Sequence, residues 1–435
     1  MRPWSLPALV VLLAPVADAG EVTYSKDVAP ILYKNCTGCH RPGEVGPFSL
    51  LTYKDAARRA GSIRDVTADR SMPPWKPAQG FGKFHDARRL DDAEIAAIAR
   101  WADAGSPEGD PRDLSPAPIF PEGWQLGTPD LVLKVSEPYD LAAGGPDQFR
   151  CFVMPTGVEE DRTVAAVEFR PGNRKVVHHA LFFLDAGGKA RLKDEADPKP
   201  GYATFGGIGV LPTGALGGWA PGATPRRLDD TLGMMLKKGS DLVLQVHYHP
   251  SGKPERDQST VGIYYTKAKL ARPVANLPLV NRDIDIPAGA ARYTRTASVT
   301  VPTDVRATAI FPHMHWVGRE MKVEATLPDG GKVPLIWITD WDFNWQGQYQ
   351  FAEPVKLPKG TRVELTAVYD NSDANPKNPS HPPKAVRFGE KTEDEMCLCG
   401  LQVVPDSREG YAELQRAALG SMLRGGGPRK QVEAK

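Results

Sequence analysis

The clearest periodic pattern in the chain is an alternation of apolar and polar positions around residue 245. Leu242, Leu244, Val246 and Tyr248 occupy every second position of this run. Because successive side chains of a β-strand point to opposite faces, the spacing predicts a strand with these residues on one apolar face. The 42 glycines and 41 prolines favour many short strands joined by turns over long helices. We therefore expect the bulk of the chain to be β-sheet.

Near the N-terminus the apolar residues follow a helical period instead. Within residues 91–104, the apolar positions Ile95, Ile98, Ala99 and Trp101 recur mostly at three- and four-residue steps. This spacing is typical of a helix that packs along one face. A second apolar group before residue 36 predicts another helix. The N-terminal region is thus expected to be helical.

Composition and charge narrow the class of protein. A chain of 435 residues is too long for one domain. Apolar residues make up 41% and charged residues 25% of it, values typical of a folded protein. The 54 basic and 53 acidic side chains leave a formal charge of +1, so we expect no binding to nucleic acid or to an anionic membrane surface.

The first 19 residues have the pattern of an export signal. Arg2 precedes an apolar run over residues 6–16, and the segment ends in Ala17-Asp18-Ala19, which is typical of signal-peptidase cleavage. A membrane anchor is the alternative, but the run is shorter than the roughly 20 residues that span a bilayer. We therefore predict a periplasmic or secreted protein that begins at Gly20 and has no membrane span after cleavage. Cysteines tend to pair in an oxidising compartment, and the chain has five of them. Some of the cysteines must therefore have a role other than a disulfide.

The segment Cys36-Thr37-Gly38-Cys39-His40 has the spacing of a c-type haem attachment site. Cys36 and Cys39 would form the thioether bonds, and His40 would be an axial iron ligand. A redox-active cysteine pair or half of a zinc site are the alternatives. The first usually accompanies a βαβ pattern, and the second needs another cysteine pair nearby. One covalently bound haem is the expected cofactor.

The iron needs a sixth ligand, and Met72 is our prediction. It lies in the run Ser71-Met72-Pro73-Pro74-Trp75 between the two predicted helices. A thioether ligand would raise the reduction potential, which suits electron transfer. The alternatives are His85 as the ligand and Met72 as a packing residue.

Six of the nine histidines fall in three close pairs. His178 and His179 are neighbours in a β-rich run, so both rings reach one metal only if the strand ends or bulges there. His247 and His249 lie two residues apart and share one face of the alternating strand. That pair can chelate a metal, or it can be part of a solvated polar face.

The third pair, His313 and His315, also shares a strand face. The surrounding residues include Phe311 and Trp316, where an unpaired imidazole would be costly to bury, so a metal or a buried hydrogen bond is expected. Met396 follows much later, in Asp394-Glu395-Met396-Cys397. Taken alone, this methionine reads as a core residue more readily than as a ligand.

Taken together and in order, these segments resemble the copper type II, ascorbate-dependent monooxygenases, the family of peptidylglycine α-hydroxylating monooxygenase and dopamine β-monooxygenase. The resemblance covers roughly residues 129–414. It implies two tandem β-sandwiches with a solvent cleft between them. The segments that carry it are Lys175–His179, Leu244–Tyr248, His313–Gly318 and Asp394–Cys397.

The resemblance also implies two copper ions per chain. An electron-relaying copper would be bound by His178, His179 and His247. The catalytic copper, where oxygen reacts, would be bound by a set that includes a soft thioether, which favours Cu(I). Its ligands would be His313, His315 and Met396. His249 matches no family ligand, although it shares a face with His247 and could compete for the first copper.

The chain departs from the family at several positions. Phe311 stands where peptidylglycine enzymes have a carboxylate-binding arginine, and Gly400 stands where they have a tyrosine. A neutral or aromatic C–H substrate is therefore expected in place of a peptide. Cys151 matches a family half-cystine whose partner position, near Ser259, is not cysteine here. Cys397 or Cys399 could pair with Cys151 and leave one free thiol that could instead approach the copper, and the sequence leaves these alternatives open.

The predicted fold class is a small all-α cytochrome c domain followed by two tandem all-β, jelly-roll-like sandwiches. The predicted divisions are a signal peptide over 1–19, a cytochrome c domain over 20–112, a linker over 113–128, a first sandwich over 129–267, a second sandwich over 268–414 and a disordered tail over 415–435.

These features predict a copper- and haem-dependent monooxygenase that hydroxylates a C–H bond of a small molecule with O₂. The fused haem would deliver electrons, with ascorbate or a periplasmic redox protein as external donor. Electron transfer without oxygenation is the alternative function. A third interpretation is a cytochrome fused to a binding sandwich whose histidines are structural.

Overall fold

The computed structural model describes residues 21–204, 207–268, 272–389 and 391–424. The predicted signal peptide over 1–19 and residues 425–435 of the predicted tail lie outside these ranges. The chain divides into two compact units. Of the described residues, the helical unit contains 21–42, 48–73 and 90–118, and the β-rich unit contains 43–47, 74–89 and those from 119 to 424.

The helical unit is built from short helices around one small core. Asp91 caps the longest of them by accepting from the Glu94 amide, while the Glu94 side chain accepts from the Asp91 amide. This reciprocal pair satisfies two amides that the helix itself cannot bond. The core contains Tyr24, Leu32, Ile63, Ile98 and Trp101. The elements are a π-helical turn over Tyr24–Val28, α1 (Ala29–Asn35), α2 (Tyr53–Ala57), α3 (Ala60–Ala68), α4 (Asp92–Asp103) and a 3₁₀ turn over Pro111–Asp113.

The β-rich unit begins with two five-stranded sheets, which we call the first sheet pair. Their elements are β1 (Leu131–Lys134), β2 (Tyr139–Leu141), β3 (Gln148–Pro155), β4 (Arg162–Arg170), β5 (Val177–Asp185), α5 (Lys189–Ala196), β6 (Tyr202–Ala203), β7 (Gly214–Trp219), β8 (Leu232–Leu236), β9 (Asp241–Tyr248), β10 (Glu255–Asp257), β11 (Thr260–Tyr265) and β12 (Arg272–Pro273). One sheet has the order β1-β11-β4-β8-β12 and the other β6-β3-β9-β5-β7, and β10 pairs with β2. Side chains from both sheets share one buried core.

A second sheet pair follows, with sheet orders β13-β22-β16-β19 and β15-β20-β17-β18. Its elements are β13 (Ala275–Asn281), β14 (Asp285–Ile286), β15 (Tyr293–Thr300), β16 (Val305–His313), β17 (Gly318–Thr326), β18 (Lys332–Ile338), β19 (Tyr349–Leu357), β20 (Arg362–Tyr369), β21 (Val386–Arg387), β22 (Cys397–Pro405) and α6 (Arg408–Arg424). Strands β14 and β21 pair with each other. This pair of sheets also encloses one core.

Residues 74–89 belong to the β-rich unit, although they lie between two helices in sequence. Trp75 packs edge-on against Tyr349, and Phe84 stacks on Phe351 with 5.3 Å between ring centroids. The backbone of this segment also pairs with the second sheet pair, where the Ala352 amide donates to Lys83. Burial of aromatic rings against the edge of the sheet accounts for this placement.

The predicted fold class is wrong. Strands make up 35% of the structure and helices 16%, and there is no distinct all-α domain over 20–112, because residues 43–47 and 74–89 belong to the β-rich unit. The region predicted to be all-β also contains α5 and α6. The separate all-α domain was predicted from the haem motif and from one segment with helical periodicity. Neither pattern indicates that the aromatic residues between them, at 74–89, pack in the β-rich unit. The two compact units divide the chain at residues other than the predicted boundaries. The predicted domain boundaries stay a prediction.

The tail prediction is wrong for residues 415–424, which lie in α6. Leu414 is buried in the core of the second sheet pair, and Tyr411 and Ala417 pack against it. The hydroxyl of Ser421 donates to the Pro278 carbonyl at 2.7 Å. These contacts order a segment whose apolar content is low. Of the helices in the described part of the chain, none has the length and apolarity to cross a membrane.

Candidate functional site

Three of the predicted ligands, His178, His179 and His247, come together on adjacent strands. Strands β5 and β9 are antiparallel, and His179 pairs directly with His247. The register of β5 shifts between Val177 and His179. This irregularity satisfies the condition for neighbouring histidines to face one metal. One nitrogen from each of the three rings lies within 4.8 Å of the others.

The nitrogens of this first site are spaced for a single metal ion. Nδ1 of His179 lies 3.2 Å from Nδ1 of His178 and 3.3 Å from Nδ1 of His247. Tetrahedral ligands about 2.0–2.1 Å from a metal would be about 3.3 Å apart. Burial lowers the pKa of His178 to about 4 and the pKa of His179 well below its usual value. Both rings are therefore neutral near pH 7, with lone pairs available to a cation.

The His247 ring is held by two neighbours from the start of β3. Phe149 stacks on it at 4.2 Å between ring centroids. Its Nε2 lies 2.8 Å from Oδ2 of Asp147. Because a carboxylate accepts, Nε2 carries the proton and Nδ1 is left as the ligand atom. Asp147 thereby orients the imidazole toward His178 and His179.

His249 is not part of the three-nitrogen group. Its side chain is 69% exposed, and its Nδ1 bonds Oδ1 of Asp147 at 2.7 Å. Asp147 therefore joins His247 and His249 through its two carboxylate oxygens. The ligand role of the other three histidines stays a prediction.

The second predicted set meets where β16 and β22 pair. His313 ends β16 and lies opposite Leu398 in β22, whose first residue follows Met396. Nε2 of His313 lies 3.2 Å from Sδ of Met396. The His313 and His315 ring centroids are 5.1 Å apart. An imidazole nitrogen and a thioether thus face each other, a donor set that favours Cu(I).

The outer nitrogens of this second pair are occupied by oxygen acceptors. Nδ1 of His313 bonds Oε1 of Gln346, and Nδ1 of His315 bonds the Asp394 carbonyl at 3.0 Å. Both Nδ1 atoms must therefore carry protons, which leaves both Nε2 atoms as lone-pair donors. Burial lowers the pKa of His313 to about 4 and that of His315 to about 3. Both rings are neutral near pH 7.

A buried carboxyl group connects the backbone of two predicted ligands. Oε1 of Glu395 accepts from the amides of His315 and Met396. Glu395 is fully buried, and burial raises its pKa to about 8. One side chain thus holds a histidine ligand and the methionine ligand in register, although they are 81 positions apart.

A single phenyl ring lies between the two sites. Phe343 stacks on His178, with 5.4 Å between centroids, and meets His315 edge-on at 5.6 Å. Trp316 packs against the same ring at 5.0 Å. The family resemblance implied a solvent cleft between two sandwiches. In this structure one aromatic side chain contacts a predicted ligand of each site.

The haem-attachment residues lie in the helical unit. His40 follows a turn in which its amide donates to the Cys36 carbonyl at 2.9 Å. Its Nδ1 lies 3.2 Å from the Phe48 carbonyl, so Nδ1 carries the proton and Nε2 is left for iron, as in an axial ligand. Neither Cys36 nor Cys39 is in a disulfide. These residues fit covalent haem.

Of the two candidate sixth ligands, Met72 belongs to the helical unit, together with His40. The backbone amide of Met72 donates to the Val66 carbonyl at 3.0 Å. His85 belongs to the β-rich unit, where its amide donates to Gln350 at 2.9 Å. Met72 as the sixth ligand stays a prediction.

The expected disulfide is absent. Cys151 is buried in a small cluster with Tyr202, Ile208 and Val243, whereas Cys397 and Cys399 are buried in the core of the second sheet pair. All three are free thiols. Because the cysteines occupy different cores, neither Cys397 nor Cys399 pairs with Cys151 in this structure.

Four residues that hold the sites were not found from the sequence. Glu395 had the strongest signal, because it is an acidic residue directly before an apolar strand. Asp147 had a weaker one, since it begins a strand two residues before an aromatic ring. Gln346 and Phe343 lie in an irregular segment without a periodic pattern. Their roles depend on contacts between distant segments.

Comparison with known proteins does not identify a family. No family model matches the chain, and no curated protein matches it. Among solved structures, a protein from Eubacterium rectale is 8% identical over 62% of this chain and 69% of its own, with a TM-score of 0.18. The infectious bursal disease virus Gt strain structure is 9% identical over 67% of this chain and 87% of its own, with a TM-score of 0.16. Likenesses this weak carry no argument about fold or function.

Proposed function

We propose that the chain is an exported copper monooxygenase that hydroxylates a small neutral molecule and receives electrons through a covalently attached haem. One observation carries the proposal. Four segments far apart in sequence bring together two donor sets of different chemistry, three imidazoles in one and two imidazoles with a thioether in the other. The predicted export signal places this chemistry in the periplasm or outside the cell.

The donor sets fit copper in two different roles. His178, His179 and His247 would hold one ion, and His313, His315 and Met396 the other. Copper bound there would supply one-electron redox chemistry and activation of dioxygen. The reaction would combine a C–H bond, O₂, two protons and two electrons to give an alcohol and water.

The protein's own part in this chemistry is to hold neutral ligands in place. Asp147, Gln346 and the Asp394 carbonyl accept from the outer nitrogens of His247, His313 and His315. Each of these bonds leaves one nitrogen free on the side of the metal and makes that nitrogen more basic. Ligands held in this way need little rearrangement when an ion binds.

The substrate side of the proposal rests on the apolar surroundings of the second site. Phe311 and Gly400 lie opposite each other in β16 and β22, so neither position provides a charge for a carboxylate. Trp316 and Phe343 add aromatic surface beside His315. These neighbours support a neutral aromatic or aliphatic substrate over a peptide acid.

Electrons would enter through the haem bound at Cys36, Cys39 and His40. Two electrons per turnover must come from outside the substrate, and a fused one-electron carrier supports an internal source. Ascorbate or a periplasmic redox protein would supply that carrier in turn. The axial ligand Met72 would favour a high reduction potential.

Metal analysis with one variant tests the proposal. Full-length protein expressed with export and haem maturation should contain about two copper ions and one iron per chain. It should also consume O₂ when small aromatic and aliphatic compounds are screened as substrates. Met396→Ile removes only the thioether, and it should abolish hydroxylation while haem reduction by an external donor continues. Iron without copper, or an unchanged product yield in this variant, would contradict the proposal.

A further inference from the structure

We propose that Asp147 and Thr392 are positioning residues that couple the two metal sites, so that copper bound by His178, His179 and His247 increases the copper affinity at His313, His315 and Met396. The inference rests on the proposed function, because it needs copper at both sites. The donor sets by themselves do not imply that copper binding at one site affects copper binding at the other.

The coupling begins at a shared carboxylate. Oδ2 of Asp147 accepts from Nε2 of His247 at 2.8 Å and from the hydroxyl of Thr392 at 3.0 Å. Oδ1 accepts from His249 at 2.7 Å. Asp147 directly precedes β3 of the first sheet pair, and Thr392 lies 245 residues later, in the loop that leads to β22. The same oxygen atom thus contacts a ligand of the first site and the loop of the second.

The loop that follows Thr392 carries the second site. Its turn is closed by the Asp394 amide, which donates to Lys391 at 2.9 Å. Residues 394–396 of this loop provide the Asp394 carbonyl that accepts from His315, the carboxyl of Glu395 and the predicted ligand Met396. Displacement of Thr392 would therefore move the partners of a histidine ligand and the methionine itself.

The direction of the coupling follows from the chemistry of imidazole. A cation bound to Nδ1 of His247 makes the proton on Nε2 more acidic, which strengthens its hydrogen bond to Asp147. The stronger bond restricts the carboxylate to one position, where it accepts from Thr392. The loop at residues 391–396 is then held in the conformation that binds metal. Filling the first site should thus reduce the ordering cost of filling the second.

Phe343 provides an independent contact between the sites. Its ring touches His178 on one side and His315 on the other. Rotation of either histidine on metal binding would displace this ring. The contact of Asp147 with Thr392 and the contacts of Phe343 both predict that metal binding at one site changes the metal affinity of the other.

Anaerobic Cu(I) titration against a chromophoric chelator measures the coupling in the full-length chain. In the wild-type background, His178→Ala should lower the affinity of the second site by about fivefold or more. Linkage requires that His313→Ala lower the affinity of the first site by the same factor. In a Thr392→Val background, which keeps the side-chain shape but removes the hydroxyl, His178→Ala should cause a clearly smaller loss than in the wild type, because only the contact through Phe343 remains. Thr392→Ser is the matched control and should retain the wild-type coupling.

The EPR spectrum of the Cu(II)-loaded first site gives a second readout that a general loss of stability would not change. Thr392→Val should alter this spectrum, and Thr392→Ser should leave it as in the wild type. Two copper ions that bind with independent affinities in the wild type would overturn the coupling but not the proposed function. A wild-type chain that binds no copper would overturn both.

Discussion

At the scale of single residues, burial keeps the imidazoles of His178, His313 and His315 neutral, while polar partners orient three of the site's rings. The outer nitrogens of His247, His313 and His315 donate to a carboxylate, an amide oxygen and a carbonyl oxygen, respectively. A buried imidazolium would be expensive to desolvate, and the lowered pKa values of His178, His313 and His315 follow from that cost. The protein thus presents ligands that need not lose a proton near pH 7.

Copper content should distinguish the two histidines that share Asp147. His247→Ala removes a nitrogen from the three-histidine group, and we expect about one copper ion per chain to be lost. His249→Ala removes an exposed ring that bonds only the carboxylate, so about two copper ions should remain. Elemental analysis after removal of weakly bound metal checks both variants. Equal copper content in the two would argue against the ligand assignment.

At the scale of secondary-structure elements, strand register and one late helix shape the β-rich unit. The register shift in β5 allows two adjacent histidines to face His247, and the pairing of β16 with β22 brings His313 close to Met396. Helix α6 packs beside β13, where its residue Leu414 is only 1% exposed. The helix is therefore part of the core of the second sheet pair.

Stability measurements should distinguish a substitution on the buried face of α6 from one on its exposed face. Leu414→Ala would leave a cavity in the core, and we expect a loss of about 2–5 kcal/mol in the free energy of unfolding. Leu419, on the same helix, is 43% exposed, and Leu419→Ala should change stability by less than about 0.5 kcal/mol. Urea unfolding followed by tryptophan fluorescence measures both. A destabilisation by Leu419→Ala as large as that by Leu414→Ala would contradict the placement of the helix.

At the scale of the whole molecule, the chain combines a haem-attachment motif with two candidate copper sites. Hydroxylation needs two electrons per turnover, and each copper ion would store one. The covalent connection of these elements in one chain supports an internal electron supply.

Rapid mixing should test that supply. When fully reduced protein is mixed with O₂ and substrate, haem and copper should be reoxidised in the same phase, as followed by haem absorbance and by EPR of frozen samples. A variant with Cys36→Ser and Cys39→Ser would lack covalent haem, and its copper should transfer no electrons to or from a haem. Haem that stays reduced throughout turnover would exclude the internal supply.

Some parts of the structure could be predicted from the sequence and others could not. The β-rich character and the strand around residue 245 followed from alternation, because that pattern is contained in a few consecutive residues. The need for a strand end or a bulge at His178 and His179 was also recognisable, since neighbouring side chains on a regular strand point to opposite faces. The all-α domain was predicted wrongly, because the aromatic residues at 74–89 pack on distant strands. The disorder predicted for residues 415–424 was also wrong, because α6, with Leu414 and Ala417, packs on the core of the second sheet pair.

The sequence by itself determined which side chains are suited to bind metal, because histidine, cysteine and methionine spacing is a local property. It also determined which of them share a strand face. Only the tertiary structure decided that β5 lies beside β9, that β22 brings Met396 to His313, and that Asp147, Gln346 and Glu395 hold these ligands. The physical reason is that strand register and buried polar contacts depend on how distant segments pack around a common core, and no short stretch of sequence contains that information.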